Sequence, residues 1–347
     1  MVTGNLGYVG TVMTPMLNEC GYDVVGLDSG FYEDCKFGEP ALSVPTTKKD
    51  IRDVQTSDLK GLDAVIHLAA LSNDPLSDFN PQLTYDINYT ASARLAKLAK
   101  KAGVQRFLFS SSCSVYGESS SGILTEDASP NPITAYAESK LLSERAISSL
   151  ADSCFTPVFL RSATAYGVSS KLRFDLVLNN LVAWAFTSGV VLLKSDGLSW
   201  RPLVHVQDMS QAFVSMLDAP KDLVHNQVFN VGAVGENYQI RDLANIVRET
   251  VFGSRVEFAK DSGPDKRSYK VDFSKLAKTL PNFKAKWDAR SGALQLHDAY
   301  KRFGLVGEEF ESPKFRRLEH LKELIKSNGL DGSLRWKASR ENHKSGL

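Results

Sequence analysis

Short apolar runs alternate with longer amphipathic segments over the first half of the chain. The apolar runs are typical of β-strands and read "YDVVGLD", "DAVIHLAA", "RFLFSSS" and "PVFLRS". Between them, segments such as "TASARLAKLAKKAG" and "AESKLLSERAISSLA" place their apolar residues on one face of a helix. Continuous apolar strands separated by such helices indicate a parallel sheet that is covered on both faces. The pattern therefore predicts an α/β fold built on a doubly wound parallel sheet.

The pattern loosens after Gly167 into helices such as "LVLNNLVAWAF" and single short strands such as "RPLVHV" and "QVFNVG". We therefore predict a first domain over residues 1–167, to which segments from about 201–235 return, and a smaller mixed lobe over residues 168–335. We expect this lobe to pack against the carboxyl ends of the strands, where ligands bind in such folds. The last residues, "KASRENHKSGL", are polar and lack helical periodicity, and we predict a mobile tail over residues 336–347.

The composition is that of an ordinary soluble protein. Hydrophobic residues make up 43% and charged residues 23% of the 347 residues, and the formal net charge is +1. Such a chain has no broad electrostatic field for nucleic acid or for an acidic membrane surface. Any anionic ligand must therefore be held by local groups.

The cysteines indicate a reducing compartment. Cys20, Cys35, Cys113 and Cys154 lie far apart and form no C-x-x-C pair, so neither a disulfide framework nor a zinc site is suggested, and no metal is expected. No apolar run reaches the roughly 18 to 20 residues that cross a bilayer, and the N-terminus lacks a signal pattern. We predict a cytoplasmic protein that is neither secreted nor membrane-spanning.

The N-terminal stretch "VTGNLGYVG" contains Gly4, Gly7 and Gly10, followed by a helical pattern. Glycines at this spacing allow a tight turn and let the backbone approach a diphosphate at a helix N-terminus, although they also serve plain strand-to-helix turns. Asp28 ends the next strand, where a carboxylate can accept both ribose hydroxyls and would repel a 2′-phosphate. This combination favours NAD over NADP.

The stretch "TAYAESK" places Tyr136 and Lys140 four residues apart, so that both side chains can face one ligand from a helix. A nearby ammonium lowers the pKa of a phenol from about 10, which would make Tyr136 a general base. A surface tyrosine beside a lysine is the plain alternative. Ser112 ends an apolar strand at the edge where α/β sites form, and its hydroxyl could bond the substrate oxygen that Tyr136 deprotonates.

Together these residues closely resemble the extended short-chain dehydrogenase/reductase family, and within it the NAD-dependent nucleotide-sugar epimerases and dehydratases. The resemblance runs from residue 1 to about 300 and is carried by "TGNLGYVG", Asp28, "DIRD", "HLAA", "SSSCSVYG", "YAESK" and "RPLVHVQD". It implies a Rossmann-type sheet, a smaller C-terminal substrate-binding lobe, NAD as cofactor and a nucleotide-diphosphate sugar as substrate.

The resemblance also assigns roles to individual positions. Ser112, Tyr136 and Lys140 form the implied catalytic trio. The residues implied at the cofactor are Gly4, Leu6, Gly7, Tyr8, Gly10, Asp28, Asp50, Ile51, Leu68, Ala69, Ala70, Asn88, Tyr136 and Lys140. Of these, Asp50 and Ile51 would contact the adenine, whereas Asn88 would order the site rather than react.

On the substrate side, the resemblance makes Arg201 a partner of the diphosphate, and Arg267 a second one, since guanidinium groups pair well with phosphate oxygens. Ser112 would also bind substrate. Asn179 and Asn237 are further candidates, for which a plain surface or turn role is an equal alternative. His205 resembles a position at the edge of the site, and we expect a structural role for it.

The implied first step has Tyr136 take a proton from a sugar hydroxyl, most often at C4, while hydride passes to NAD and a 4-keto sugar forms. An epimerase returns the hydride to the other face of the ketone and needs no further acid or base. Dehydratases of the family carry Asp and Glu directly after the catalytic hydroxyl residue, where this chain has Cys113 and Ser114. This difference favours a 4-epimerase.

Cys113 leaves other reactions open. A thiol has a reference pKa of about 8.5, so it could exchange a proton with carbon next to a ketone. The alternatives are a dehydratase or a 3- or 5-epimerase that uses Cys113 as acid or base, and a 4-ketoreductase. A hypothesis of another class is a non-catalytic NAD-binding scaffold, against which the intact trio argues.

Two helical segments resemble the pair with which family members form a dimer. They are "LTYDINYTASARLAKLAKKA" and "YAESKLLSERAISSL", and in the second one Leu141, Leu142, Ala146 and Ile147 could be shared between the core and a partner. We therefore predict a homodimer. The nucleotide base and the sugar are not readable from the sequence, because loops make those contacts.

Overall fold

The computed structural model describes residues 1–40, 42–118, 122–263 and 267–337, with residues 261, 262 and 308 described by their backbone only. Its strands are β1 Val2–Thr3, β2 Gly26–Asp28, β3 Thr46–Lys48, β4 Ala64–His67, β5 Arg106–Ser112, β6 Ile123–Leu124, β7 Thr156–Ser162, β8 Thr164–Tyr166, β9 Val190–Ser195, β10 Trp200–His205, β11 Gln227–Val231, β12 Asn237–Gln239, β13 Arg255–Gly263 and β14 Lys270–Val271.

The helices carry the apolar faces that cover these strands. They are α1 Gly10–Glu19, α2 Asp74–Phe79, α3 Pro81–Thr84, α4 Ala91–Lys101, α5 Ala135–Ser148, α6 Val177–Ser188, α7 Val206–Asp218, α8 Lys221–Val224, α9 Ile240–Thr250, α10 Ser274–Thr279, α11 Ala289–Arg302, α12 Gly307–Phe310 and α13 Arg317–Lys326. A π-helical stretch, Tyr85–Thr90, joins α3 to α4. Within the described ranges, none of these helices has the length and apolar character of a membrane span.

Among the described residues, seven strands form a parallel sheet in the order β11-β7-β5-β4-β1-β2-β3. From β1 the chain adds β2 and β3 on one side and then β4, β5, β7 and β11 on the other. The order of winding thus reverses beside β1, which confirms the predicted doubly wound sheet. Each residue of β7 is buried, because helices lie on both faces.

The second lobe is built on smaller sheets. Strand β10 pairs with β8 in parallel and with β12 in antiparallel fashion, and β13 pairs with β9. This confirms the predicted mixed lobe. From there the chain returns to the first domain through α7, which packs against α1, and through β11, which joins the edge of the large sheet.

The segment after residue 316 packs against the first domain, although the sequence assigns it to the second lobe. Leu321, Leu330 and Leu334 share one buried cluster with Leu27 and Ile51. Burying these apolar side chains determines where the segment lies, and the periodicity of the chain did not reveal which partner they would find.

The predicted tail begins within this packed segment. The Trp336 indole donates a hydrogen bond to the Ser29 carbonyl (2.6 Å), and the Lys337 amide donates one to the Gly329 carbonyl (3.0 Å). Residues 338–347, the remainder of the predicted tail, lie outside the described residues.

A buried ion pair ties α5 to the large sheet. Arg161 of β7 donates from Nε to Glu144 Oε1 (2.9 Å) and from Nη2 to Oε2 (2.7 Å), and both side chains are about 5% exposed. The Ser111 hydroxyl also donates to Glu144 (2.5 Å), and the Arg161 Nη1 group donates to the Tyr116 hydroxyl (3.1 Å). The pair therefore fixes the helix that carries Tyr136 against strands β5 and β7.

Candidate active site

A cavity of about 420 Å³ lies at the carboxyl ends of the parallel strands. Its walls include the glycine-rich turn after β1, Asp28 at the end of β2, Leu68 after β4 and Ser112 at the end of β5. Arg201 and Arg267 close it from the second lobe. This is the position next to the reversal of strand order at which α/β sheets bind ligands.

The glycine-rich turn leaves no room for side chains. Gly4 has a φ of +75°, and a Cβ there would lie 2.8 Å from the Ala69 nitrogen. A Cβ on Gly10 would lie 2.4 Å from the Gly4 carbonyl oxygen, and one on Gly7 would lie 3.2 Å from the same atom. The turn thus presents bare backbone at the N-terminus of α1, a geometry that fits a diphosphate.

Asp28 holds this turn from the neighbouring strand. Its carboxylate accepts hydrogen bonds from the Leu6 amide (3.0 Å) and the Gly30 amide (2.8 Å). Leu6 therefore contributes its backbone to the site and does not line the cavity itself. Burial raises the pKa of Asp28, and the two amide bonds oppose that effect. Because a carboxylate offers about four acceptor positions, Asp28 can still accept ribose hydroxyls.

The remaining predicted cofactor residues at this end of the cavity line its wall, and they are Tyr8, Asp50, Ile51, Leu68, Ala69 and Ala70. The Tyr8 hydroxyl donates to the Gly167 carbonyl (2.8 Å). The Asp50 carboxylate accepts from the Arg52 amide (2.8 Å), Nε (3.0 Å) and Nη2 (2.6 Å). Burial alone would raise the pKa of Asp50, but the bonds and charge of Arg52 lower it. Asp50 is thus engaged with protein groups.

Asn88 lies behind the cavity wall. It is 1% exposed, accepts from the Leu71 amide (2.8 Å) and donates to the Leu71 carbonyl (3.0 Å) and the Ser139 hydroxyl (3.2 Å). It is not among the residues that line the cavity. These bonds tie the loop after β4 to α5, which is the ordering role that the resemblance implies.

Ser112, Tyr136 and Lys140 meet in the same cavity. Ser112 ends β5, and Tyr136 and Lys140 lie one turn apart at the start of α5. The Lys140 ammonium donates to the Ser110 carbonyl (2.7 Å) and lies 5.8 Å from the centroid of the Tyr136 ring. The Thr134 hydroxyl accepts from the Ala137 amide and so caps α5 at its first turn. The fold thus brings the predicted trio together.

The pKa values of the trio differ from the expectation that Lys140 lowers the pKa of Tyr136. Burial raises the pKa of Tyr136 to about 12, an effect that the Ser112 hydroxyl opposes and that Asp74 adds to. Burial also lowers the pKa of Lys140 to about 8. Desolvation is therefore the largest cause of the pKa shift of both groups in this structure.

Cys113 faces away from the cavity that its neighbour Ser112 lines. It is 1% exposed and belongs to the main apolar core, and its thiol donates to the Arg161 carbonyl (3.1 Å). Burial raises the pKa of the thiol. Cys113 does not line the cavity. The structure thus places the thiol where it packs against β7 rather than where it could reach a ligand.

Two other hydroxyls do face the cavity. Ser114 and Ser162 both line it, and the hydroxyl oxygen of each is buried without a hydrogen-bond partner among the described residues. A buried hydroxyl that is left without a partner costs about 1–3 kcal/mol. Both therefore gain from a polar ligand.

The predicted substrate arginines line the cavity and contact each other. Arg201 donates from Nη1 to the Trp200 carbonyl (2.8 Å) and to the Arg267 carbonyl. Arg267 Nη1 lies 2.6 Å from Asp74 Oδ2, so the second lobe is linked to the start of α2. Tyr269 lines the cavity beside them.

Three other predicted positions do not line this cavity. Asn179 bonds the Gly167 amide (3.0 Å) and the Arg173 carbonyl (3.0 Å). Asn237 pairs with the Val271 amide (2.8 Å) and carbonyl (3.0 Å), and thereby supports β14. His205 stacks on Trp287 at 4.1 Å between ring centroids. Both asparagines thus bond backbone groups, and Asn179 is fully buried in α6, which differs from the surface or turn role given as its alternative.

The sequence missed several charged residues of the cavity. They are Asp74, Arg173, Asp175 and Arg317. Arg173 forms a two-point ion pair with Asp175, with distances of 2.9 and 2.6 Å. Asp74 could have been noticed, because it follows the "HLAA" stretch closely. Nothing local marks Arg317, which reaches the cavity from the end of the chain.

Comparison with known proteins identifies the family of the chain. The model of the NAD dependent epimerase/dehydratase family matches residues 1–232, more than half of the 347-residue chain. The chain belongs to this family. Membership confirms the predicted resemblance and the NAD cofactor, and the protein is an NAD-dependent enzyme of the sugar-nucleotide epimerase and dehydratase class.

Relatives within the family catalyse different reactions. The chain is 29% identical over 264 residues to a UDP-glucose 4-epimerase of Corynebacterium glutamicum, which covers 72% of this chain and 79% of the relative. It is 27% identical over 299 residues to UDP-glucuronic acid decarboxylase 2 of Arabidopsis thaliana, a match that covers 84% of this chain and 66% of the relative. The chain also resembles a solved structure of a UDP-glucuronic acid 4-epimerase from Bacillus cereus in complex with UDP-glucuronic acid and NAD. The TM-score is 0.72 at 25% identity, and the match covers 87% of this chain and 98% of the solved chain.

Proposed function

We propose that this family member is an NAD-dependent nucleotide-sugar 4-epimerase. The observation that carries the proposal is the orientation of the two residues after Ser112. Cys113 packs against β7 and Ser114 offers a hydroxyl, so neither supplies a carboxylic acid or base to the cavity. Epimerisation at C4 through a ketone needs none, whereas elimination of water does.

In the proposed reaction Tyr136 accepts the proton of the sugar 4-hydroxyl. Bound NAD supplies the acceptor for the C4 hydride and its return. The Ser112 hydroxyl orients the same sugar oxygen, and Lys140, fixed by the Ser110 carbonyl, places a positive charge beside the phenol. Since burial raises the pKa of Tyr136 to about 12, the phenolate depends on further positive charge, such as that of an oxidised nicotinamide ring.

We further propose that Arg201 and Arg267 bind the diphosphate of the sugar nucleotide. Both belong to the second lobe and line the cavity that Ser112 and Tyr136 also line. The Arg267 side chain is 44% exposed and pairs with Asp74, so a phosphate oxygen can replace this carboxylate without a change of fold. Ser114 and Ser162 then offer their hydroxyls to the sugar.

A panel of nucleotide sugars tests the proposed reaction. UDP-glucose and UDP-glucuronic acid, which appear in the names of the relatives, are the first members. Mass spectrometry and NMR are expected to show an isomer of unchanged mass that is inverted at C4. A product lighter by one water, or by carbon dioxide, would overturn the proposal in favour of a dehydratase or a decarboxylase.

One observation favours a second candidate, a dehydratase or a 3- or 5-epimerase. The Asp74 carboxylate lines the cavity, accepts from the Thr134 hydroxyl (2.8 Å) and adds to the rise that burial causes in the pKa of Tyr136. A carboxylate in this position could remove a proton next to a sugar ketone. If a second acid or base operates here, Asp74 is therefore a better candidate than Cys113.

Replacing Cys113 by Ala separates these roles. We expect kcat to stay within about threefold of the wild type, because the thiol is buried against a carbonyl; the cost falls on stability, since truncated core side chains lose packing. Turnover in D₂O is measured by NMR at C3 and C5 of the sugar. The 4-epimerase predicts no deuterium at either carbon.

The matched variant for this experiment is Asp74→Asn. Deuterium at C3 or C5 that disappears in Asp74→Asn but persists in Cys113→Ala would establish the second candidate with Asp74 as its acid or base. Deuterium that disappears in Cys113→Ala would contradict the packing role of the thiol.

We also propose that the enzyme is a cytoplasmic homodimer. Leu141 and Ile147 of α5 are buried within the chain, whereas Leu142 and Ala146 remain partly exposed and are available to a partner. The four cysteines are free thiols, as a reducing compartment requires. Light scattering after size exclusion at micromolar protein is expected to give twice the 38.1 kDa of the chain, and a monomer would contradict the dimer.

A further inference from the structure

Arg317 brings a buried positive charge to the cavity from the first residue of α13. The residue is 3% exposed and lines the cavity. Its Nη2 group donates to the Lys171 carbonyl (2.6 Å), and its guanidinium lies 4.4 Å from the centroid of the Tyr32 ring. Its Nη1 group has no hydrogen-bond partner among the described residues. Leaving a buried charged donor unpaired is strongly unfavourable.

The nearby charges do not satisfy this group. Besides Tyr32, the Cys35 thiol and the Asp175 carboxylate act on Arg317. Burial raises the pKa of the Cys35 thiol, and both oxygens of Asp175 are bonded by Arg173. Burial lowers the pKa of Arg317, and the positive charge of Arg173 lowers it further. The cavity therefore holds more positive than negative charge at this point, which an anionic ligand would balance.

The rest of the C-terminal segment fixes Arg317 against the loop that follows Asp28. His320 Nε2 lies 2.9 Å from the Phe31 carbonyl oxygen, and the Trp336 indole donates to the Ser29 carbonyl. Tyr32, on which the guanidinium stacks, belongs to the same loop and lines the cavity together with the glycine-rich turn. Arg317 thus lies on the cofactor side of the cavity, and it lies beyond the residues 1–232 that the family model matches.

We propose that Arg317 forms an ion pair with the diphosphate of bound NAD, so that the C-terminal helix completes the cofactor site. The Nη1 group that has no partner is the donor to a phosphate oxygen. The glycine-rich turn supplies backbone amides to the same diphosphate and carries no cationic side chain of its own. This inference rests on the NAD dependence of the family and does not depend on which sugar carbon reacts.

The test compares Arg317→Gln with Arg316→Gln in the full chain. Arg316 precedes Arg317 directly, and its guanidinium pairs with Glu311 at the surface, so the control removes the same charge outside the cavity. Binding of NAD, ADP-ribose, adenosine and UDP is measured by calorimetry, and the NAD content of each purified protein is determined.

We expect Arg317→Gln to raise the Kd of NAD and of ADP-ribose about 10- to 100-fold, as for the loss of a charged hydrogen bond, and to lower the NAD content of the purified protein. Adenosine and UDP should bind within about twofold of the wild type, and Arg316→Gln should behave as the wild type. An equal loss for adenosine and NAD would make the role purely structural, and a loss for UDP alone would assign Arg317 to the sugar nucleotide. Either result overturns the proposal.

Arg317→Lys keeps the proposal testable if the glutamine variant does not fold. Lysine retains the charge but lacks the planar group that bonds Lys171 and the diphosphate at once. We expect the ratio of the Kd of NAD to the Kd of adenosine to be at least threefold higher in this variant than in the wild type. An unchanged ratio of the two affinities would overturn the proposal.

Discussion

Replacing Tyr136 by Phe is expected to lower kcat about 10²- to 10⁴-fold, the contribution typical of a positioned general base. The phenol hydroxyl is the group that exchanges the proton of the sugar in the proposed reaction, and phenylalanine keeps the ring while removing that hydroxyl. The ring lines the cavity beside Ser112 and Lys140, so binding of NAD should change little. Steady-state turnover and NAD binding of the same preparation are the two measurements.

The matched control is Tyr269→Phe. Tyr269 lines the same cavity and is buried, with a pKa that burial raises, but it precedes β14 and is not carried by α5. Its loss of a hydroxyl should cost less than about tenfold in kcat, as for one neutral hydrogen bond. Full activity of Tyr136→Phe would contradict hydride chemistry that begins with this phenol.

Replacing Glu144 by Leu is expected to lower the free energy of unfolding by about 3–5 kcal/mol. The change leaves the Arg161 guanidinium buried at 5% exposure without its carboxylate, and it also removes the acceptor of the Ser111 hydroxyl. Because α5 carries Tyr136 and Lys140, activity should fall together with stability. Urea unfolding, with the midpoint and the slope fitted separately, measures the effect.

Two companion variants decide whether an unpaired buried charge is the cause. Glu138→Leu alters an exposed glutamate on the same helix, which accepts from the Tyr85 hydroxyl (2.6 Å), and should cost less than about 1 kcal/mol. The double variant Glu144→Leu with Arg161→Met removes both charges and should recover much of the lost stability. If the double variant is as unstable as Glu144→Leu alone, the loss of stability comes from poorer packing and not from the unpaired charge of Arg161.

Several stretches that the sequence analysis singled out line one cavity. The glycine-rich turn, Asp28 and the "HLAA" stretch share one cavity wall, since each follows a parallel strand at the same edge of the sheet. Tyr136 and Lys140 share a helix face. These placements follow from strand direction and helical repeat, which local sequence encodes.

The structure differs from expectations that depend on the direction or the surroundings of a single side chain. Asn179 and Asn237 bond the backbone instead of lining the cavity, and the pKa of Tyr136 is raised where attraction to Lys140 alone predicts a lower value. The first result depends on which backbone groups lack partners after folding. The second depends on how completely the fold excludes water from Tyr136 and Lys140. Local sequence specifies neither the backbone groups that lack partners nor this exclusion of water.

By itself the sequence determined the doubly wound fold, the NAD cofactor and the enzyme family, because strand and helix periods, glycine spacing and the Tyr136 motif are all local patterns. Only the tertiary structure decided which side chains line the cavity. Cys113 and Ser114 are neighbours along the chain, yet one packs against β7 and the other lines the cavity. Arg317 comes from the far end of the chain, brought there by the burial of Leu321 and Leu330 against the first domain. Packing of distant apolar surfaces, which no local pattern specifies, determined that contact.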